Sequence, residues 1–561
     1  MIIRNKQFLG FLCAIGISLL AIRPLFVQGY FPMHDDTQVA RVIVMARALR
    51  QGQFPVRWVS DLGYGYGYPL YNYYGPLPYY IGGILNAFGV DSVIATKIMF
   101  GIGVILAPIF MYLLLGSVFG TTAGIVGSVL FSFAPYRAVD IYIRGAVGEY
   151  WAIAFMPLIL WGIIETFRKS HMKGVLAGGI GLSAVILSHT ILGYITTGLF
   201  TVGIFLFWII EIVTRRMSKK ILFLPFSIFF IGLGISAFFW IPAFAEMGLT
   251  GVGTMITHAS TNFYDHFVCF GQLWNSPWGF GGSAPGCIDG MSFKLGKIQL
   301  VCAVTGIIMW VFQREKKKTE RASVVIYIAI TLFTISLFGV LRVSEAIWRI
   351  IPYASFIQYP WRLLSYTIVS MGICAAAGIK VIKKRGIRIT VSILSILVCL
   401  WVNIKLFKPQ YFYKRASGEF GTQEELRYRV SKVSDEYLPT GIIKPQIPTD
   451  IVHEPIDQSS TVHVRMIRNN DTFMQAEVVS QKNQSITIQK AYFPGWTIRV
   501  NGSIIKPSIA TGLPSVILSE GTSIIEMKLS DTPVRMFANL ISLASIVAVI
   551  LLYAYGGKTI S

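Results

Sequence analysis

The sequence predicts a polytopic α-helical membrane protein of about twelve spans that carries a C-terminal extracytoplasmic β-sandwich. Three observations lead there. The 561 residues are 54% hydrophobic and only 14% charged. Long apolar segments recur along most of the chain. Near the C-terminus a polar stretch replaces them, in which apolar residues alternate with polar ones. A mean hydropathy of +0.61 is that of a membrane protein and not of a soluble domain. The formal net charge of +22 would suit nucleic acid, but many of the basic residues fall in short runs between apolar segments. Those runs are Arg4/Lys6, Arg168-Lys169/Lys173, Arg215-Arg216/Lys219-Lys220, Arg314/Lys316-Lys317-Lys318/Arg321 and Lys383-Lys384-Arg385/Arg388. This is the positive-inside pattern, a topology code, and no nucleic-acid partner is expected.

With the N-terminus inside, the expected spans follow in order. Phe8–Val27 goes out and, after a long external loop, Val93–Leu115 returns. Ala123–Pro135, Trp151–Phe167, Val175–Leu187, Ile191–Val213, Ile221–Ala243 and Ile298–Phe312 then alternate in direction. Val324–Leu341, Leu363–Ile382, Ile389–Phe407 and Phe537–Tyr555 complete the set, leaving Lys558 inside. The first span is expected to be an uncleaved anchor, because its apolar stretch is long and Leu25-Phe26-Val27 offers no small-residue cleavage site. Cys13, Cys302, Cys374 and Cys399 fall in spans as packing residues, whereas Cys269 and Cys287 share one external loop and are candidates for a disulfide. No zinc-type Cys/His spacing or phosphate-binding glycine loop occurs.

The first external loop, from Gln28 to about Val90, opens with His34-Asp35-Asp36-Thr37. Adjacent carboxylates at a membrane edge are costly to hold near lipid. They can serve as a base or as metal ligands, or Asp36-Thr37 can simply start the next helix. Val39, Val42, Ile43, Ala46 and Leu49 recur at helical spacing with Arg41, Arg47 and Arg50 among them. That suits a helix in the membrane interface with its cations near headgroups or a lipid phosphate. The Gly/Tyr stretch that follows, including Tyr71 and Tyr74, supplies flat rings that either stack on sugars or mark the interface.

The second informative piece, Tyr136 to Tyr150, places Arg137 and Arg144 outside, against the positive-inside trend. Such arginines are candidates for binding an anion such as phosphate. Asp140 and Glu149 add carboxylates, for chemistry or for a structural ion pair. His189, at the outer end of a span, joins the same polar face, as does Arg362 in Gln358-Tyr359-Pro360-Trp361-Arg362. The third piece, Lys408–Pro533, alternates at Thr461–Ile467, Phe473–Val479, Ser485–Gln489, Thr497–Val500, Ser515–Leu518 and Ile524–Leu529, with turn signals between. These are the strands of the expected sandwich.

At these residues the chain resembles the membrane-embedded glycosyltransferases of the GT-C fold, which use polyprenyl-phosphate-linked sugars. The shared pattern is an outgoing first span, an acidic pair opening an amphipathic helix (His34-Asp35-Asp36-Thr37 to Ala48-Leu49-Arg50-Gln51-Gly52), a Tyr…Pro-Leu element from Tyr74 to Leu77, Phe88-Gly89 before the next span, and a second acidic site at Asp140. Over most of the chain it also resembles a bacterial group of membrane proteins named as related to 6-pyruvoyl-tetrahydropterin synthase, through Leu187-Ser188-His189, Gln358-Tyr359-Pro360-Trp361-Arg362 and Tyr492-Phe493-Pro494-Gly495-Trp496. No soluble pterin-enzyme domain is evident.

The resemblance implies a GT-C-like transmembrane domain over residues 1–407 with a catalytic first loop at 28–92. The β-sandwich would occupy 408–533, and 534–561 would hold the last span and tail. It implies that Asp35 acts as base, with Asp36 assisting or binding a metal. His34, Tyr71, Tyr74, Arg137, Asp140, Arg144, Glu149, His189 and Arg362 would contact substrate, with Arg144, His189 and Arg362 on the lipid phosphate. Where some relatives carry an acidic-Lys pair before Pro-Leu, this chain has Tyr74-Gly75, so the donor phosphate must be held from elsewhere. The implied partners are a polyprenyl-phosphate sugar, a glycan, lipid or protein acceptor, and membrane lipid. Two carboxylates and a histidine permit a divalent metal without demanding one. Two rival readings are a lipid or polysaccharide transporter and a non-catalytic scaffold for envelope assembly. A transporter would show an inverted repeat and charges midway through spans, and neither is detected.

Overall fold

The structure is a computed structural model, and it describes residues 2–167, 171–214, 223–252, 262–313, 320–351 and 353–555. Most residues of three basic runs, around 168–170, 215–222 and 314–319, lie outside the described residues, as does Lys558. Nine helices among the described residues are long and apolar enough to cross a membrane. A tenth span results if Leu224–Ile235 and Ala237–Leu249, bent by 69° at their junction, cross as one. Two of the twelve expected spans are shorter helices, Thr121–Ser132 and Lys297–Phe312. Twelve residues rise only about 18 Å, short of a hydrocarbon core of about 30 Å, so the first of these does not cross unaided.

The helices used below are α1 (Ile2–Ser18), α2 (Gln38–Arg50), α3 (Leu77–Ala87), α4 (Ser92–Phe119), α5 (Thr121–Ser132), α6 (Val147–Thr166), α7 (His171–Ser188), α8 (Thr190–Thr214), α9 (Leu224–Ile235), α10 (Ala237–Glu246), α11 (Lys297–Phe312), α12 (Glu320–Gly339), α13 (Leu364–Val381), α14 (Arg385–Asn403) and α15 (Pro533–Tyr555). Their burial sorts them. The apolar stretch of α6 is 83% buried and the one leading into α13 is 89% buried, so these helices are central. Those of α14 and α15 are 17% and 11% buried. Their exposed Ile393, Leu397, Trp401, Leu540, Leu543 and Ile550 form the apolar surface that lipid would cover. The centre is tight because α6 and α7 meet at glycines: a Cβ on Gly162 would lie 2.4 Å from the backbone of Gly178.

Strands β1 (Val462–Asn469), β2 (Phe473–Ser480), β3 (Gln484–Thr487), β4 (Trp496–Val500), β5 (Ser503–Ile505), β6 (Ser508–Ile509), β7 (Pro514–Leu518) and β8 (Gly521–Leu529) form two antiparallel sheets. The orders are β1-β2-β8-β4-β5 and β3-β7-β6. All six alternating stretches of the sequence fall on strands. Inward residues of both sheets, including Met474, Val478, Ile525, Met527, Ile486 and Val516, join one apolar cluster, and Trp58 and Tyr73 of the first loop enter it. The cluster therefore binds the β region to the first loop.

The segment between α14 and β1 wraps that same loop. Tyr30 and Tyr413 exchange backbone hydrogen bonds at 2.8 and 2.9 Å. Arg427 reaches Asp61 at 3.0 Å. The start of α15 is clasped as well: Arg535 Nε lies 3.0 Å from Glu246, both side chains being buried. The first loop, the post-α14 segment and the sheets thus cap one end of the bundle. Cys269 and Cys287 are joined by a disulfide, with Cα atoms 5.6 Å apart.

Candidate active site

At that capped end lies a cavity of about 600 Å³. The first loop contributes Asp35, Arg41 and Tyr74, the turn before α6 contributes Arg144, the α7–α8 junction His189, and the segment before α13 Gln358 and Arg362. Ser434, Glu436 and Tyr437 close it from the post-α14 segment. Elsewhere the wall is apolar, with Ile191, Phe244, Met247 and Phe356.

Main-chain bonds place Asp35. The N–H groups of His34 and Asp35 donate to the carbonyls of Ile143 and Arg144 at 2.8 and 2.9 Å. Gln38 Nε2, from the first residue of α2, donates to the Gly145 carbonyl at 2.9 Å, and Tyr79 donates to Gln38 Oε1 at 2.5 Å. The acidic loop is thereby laid along the arginine segment. Asp35 Oδ1 lies 3.2 Å from His34 Nδ1. Burial pushes the Asp35 carboxyl up, but the His34 hydrogen bond and the charges of Arg144 and Arg41 outweigh it, so the group sits below its ordinary value. His34 is raised by that same hydrogen bond, against the opposing effect of burial.

The cations are held by carboxylates behind the wall. Arg144 Nη1 contacts Asp140 Oδ1 at 2.6 Å and Glu149 Oε2 at 2.8 Å. Tyr136 donates to the other Glu149 oxygen at 2.6 Å. Arg362 Nε is 3.9 Å from Glu149, and Arg362 Nη1 donates to the Ile357 carbonyl at 2.6 Å and to Gln358 Oε1 at 2.9 Å. Burial and the adjacent Glu149 drive the Asp140 carboxyl well upward, which leaves Glu149 as the main counter-charge to two guanidiniums. The surplus is positive and suits an anion. Indole and phenol rings support it: the Arg144 guanidinium lies 4.5 Å above Trp361, and that of Arg362 4.9 Å above Tyr359.

His189 caps α8, its Nδ1 accepting the Leu192 N–H at 3.1 Å, which leaves the ring proton on Nε2. Its backbone is fixed by two glycines. A Cβ on Gly75 would lie 2.1 Å from the Ser188 carbonyl oxygen, and one on Gly148 would lie 2.4 Å from it. The Tyr74-Gly75 pair, which departs from the acidic-Lys pattern, is thus where the first loop meets the α7–α8 junction.

Of the residues singled out from the sequence, Asp35, Tyr74, Arg144, His189 and Arg362 meet in this cavity. Six do not line it. Arg137 is fully buried, with none of its guanidinium nitrogens hydrogen-bonded and its charge over Phe131. Asp140 and Glu149 lie behind Arg144 as its carboxylate partners. Tyr71 is buried and donates to the Arg41 carbonyl at 2.6 Å. His34 stands beside Asp35 but outside the lining, and Asp36 faces the post-α14 segment, where burial and then Glu425 push its carboxyl up to about 6. Arg41 is the residue whose place differs most from expectation. It is 3% exposed, 3.9 Å above the Tyr74 ring, and donates to Ser434 Oγ at 2.9 Å. An amphipathic pattern sends such a cation to the headgroups. The post-α14 segment, hundreds of residues away in sequence, covers it instead. Among the described residues no group of three His, Cys, Asp or Glu is placed to hold a metal ion.

The fold is thus a helical membrane bundle whose cavity joins buried cations to an apolar wall. The chain belongs to the family of membrane proteins described as 6-pyruvoyl-tetrahydropterin synthase related, whose model matches residues 71–408, more than half of the sequence. An uncharacterised protein of Lactococcus lactis subsp. cremoris strain MG1363 is 24% identical over 246 residues, 43% of this chain and 40% of that protein. Among solved structures, the mycobacterial arabinofuranosyltransferase AftD aligns over 71% of this chain and 27% of its own, at 14% identity and a TM-score of 0.44. The Archaeoglobus fulgidus oligosaccharyltransferase aligns over 81% and 59%, at 15% identity and 0.43. ArnT from Cupriavidus metallidurans, bound to undecaprenyl phosphate, aligns over 71% and 88%, at 11% identity and 0.31. With TM-scores below 0.5, these likenesses do not by themselves assign a reaction.

Proposed function

We propose that this protein is a membrane glycosyltransferase that moves a sugar from a polyprenyl-phosphate donor to an extracytoplasmic acceptor, a cell-envelope glycan, lipid or protein. The observation that carries the reading is the shared cavity: a carboxylate held ionised, Asp35, faces the same space as Arg41, Arg144, His189 and Arg362, and that space continues along an apolar wall. The lipid phosphate rests on Arg144 and Arg362, and the prenyl chain runs along Ile191, Phe244 and Phe356. Asp35 takes the proton of the acceptor hydroxyl. That oxygen forms the new bond to the anomeric carbon as the bond from that carbon to the phosphate oxygen breaks. The arginines and the His189 N–H stabilise the charge that collects on the leaving phosphate. In this reading residues 1–407 are the transferase domain, the loop 28–92 its catalytic part, 408–533 an extracytoplasmic domain, and 534–561 the closing span and tail.

The test uses the purified full chain and a panel of polyprenyl-phosphate donors with radiolabelled sugars. Wild type is expected to transfer or hydrolyse at least one donor, and Asp35→Asn to be slower by about 100-fold or more. Near-wild-type turnover in Asp35→Asn would sink the assignment of the base. Consumption of no donor would remove the reaction class.

A further inference from the structure

A second cavity, of about 310 Å³, lies on the capped end and shares none of its lining with the first. Helix α2 connects the two. Arg41 faces the first cavity and Arg47, about 9 Å further along the axis, lines the second. The opposing wall comes from Arg427 in the post-α14 segment, Asp471 in the β1–β2 turn, and Lys490 after β3.

The charges of this cavity do not cancel internally. Asp61 is paired with Arg47 and also with Arg427, the latter at 3.0 Å, so one carboxylate answers two guanidiniums. Lys490 is 4% exposed, and its ammonium donates to the Asn470 carbonyl at 3.2 Å. Among the described residues no carboxylate lies within ion-pairing distance of it. Asp471 is also 4% exposed. Its Oδ1 accepts the Ser60 N–H at 2.9 Å, while Oδ2 is buried without a hydrogen-bond partner. The cavity lining thus holds a buried ammonium with three protons and one hydrogen-bond acceptor, its other neighbour being the Trp496 ring at 5.8 Å. It also holds a carboxylate with one oxygen that has no donor, and the two are costly unless a ligand completes both. Burial lowers the Lys490 ammonium to about 8, which leaves it mostly a cation at neutral pH.

We infer that this cavity binds a hexuronate, an anionic sugar whose carboxylate rests on Lys490 and Arg427 and whose ring hydroxyls donate to Asp471 Oδ2. The volume is at the small end of ligand sites, roughly 300–1,000 Å³, and suits one ring rather than a chain. The excess of cations selects an acid over a neutral sugar, and the orphaned Asp471 oxygen selects a hydroxyl-bearing acid over a bare anion. This binding is independent of the transfer reaction, since it uses neither Asp35 nor the apolar cavity.

The test is saturation-transfer NMR on the full chain in detergent with glucuronate, galacturonate, glucose, galactose and inorganic phosphate. Saturable binding of a hexuronate is expected, with the neutral hexoses and phosphate at least tenfold weaker. Lys490→Met should reduce hexuronate binding at least tenfold, and Asp471→Asn should reduce it as well, whereas Asp35→Asn should leave it unchanged. Equal binding of neutral hexose overturns the charge argument, and equal competition by phosphate overturns the sugar. No saturation by wild type overturns the site. Melting curves separate a lost site from a lost fold, and the wild-type order of ligands decides the question even where a variant fails to fold.

Discussion

The main-chain N–H of Asp35 donates to the carbonyl oxygen of Arg144 at 2.9 Å, so the proposed base and one proposed phosphate ligand are held in register by backbone rather than by their side chains. Side-chain substitutions here should act on chemistry without moving the loop. Asp35→Asn is therefore expected to keep the fold, with a drop in melting temperature no larger than the loss of the charge interactions that lower the Asp35 pKa, while losing transfer. A melt and a transfer assay on the same preparation check both halves.

The two arginines should behave differently. Arg144→Met takes from Glu149, whose side chain is fully buried, its hydrogen-bonded cation and leaves it only the more distant Arg362 at 3.9 Å. Removal of one partner of a buried pair costs roughly 3–5 kcal/mol. A large drop in melting temperature is expected. Arg362→Lys keeps a cation beside Glu149 but loses the Nη1 group that serves both the Ile357 carbonyl and Gln358 Oε1, and the planar guanidinium over Tyr359. It should fold normally and bind polyprenyl phosphate more weakly, as a titration of the lipid phosphate would read. An unchanged affinity would remove Arg362 from the phosphate site.

Gly75→Ala would drive a methyl group into the Ser188 carbonyl. The junction has to yield, at a cost of about 1–3 kcal/mol for overpacking, and His189 moves with it. The variant should show both a lower melting temperature and a higher KM for donor. His189→Ala should impair donor handling, with only the smaller stability loss of a missing helix cap. Identical stability in Gly75→Ala and wild type would show that the contact relaxes freely.

Asp36 makes a pH prediction. Its folded-state pKa, about 6, lies above the 3.8 of the unconstrained group, so the folded state holds the proton more tightly. That contribution to stability is complete below pH 4 and is lost as pH rises through 6. Asp36→Asn lacks the titration. Wild type should therefore lose stability relative to the variant between about pH 4 and 6, with a constant difference above. Parallel melting curves across that window would refute the shift.

The spans were legible because about twenty consecutive apolar residues have few other uses. Even so, Thr121–Ser132 is too short to cross unaided, since its helix stops before Pro135. The strands were legible because their burial alternates, as in Phe473–Ser480. Asp35, Arg144, His189 and Arg362 stood out as polar groups at the ends of apolar segments. What the sequence did not reveal was long-range. Nothing near Arg41 announces that Ser434 will cover it, and the arginines at 137 and 144 look alike. Yet Arg137 is sealed in the core while Arg144 opens on the cavity. Which face of a turn meets solvent is decided by packing partners far along the chain.

The bond from Arg41 to Ser434 spans 393 positions, and this has a consequence for biosynthesis. When the ribosome has delivered the first loop and even the central α6 and α13, the cavity still lacks a wall, and Arg41 has no cover. The last wall arrives with residues 434–437, and the Glu246–Arg535 clasp closes later still. Assembly of the pocket is thus a terminal event in the maturation of the nascent chain. Premature release of the polypeptide before residue 434 would yield an inserted bundle with an open groove.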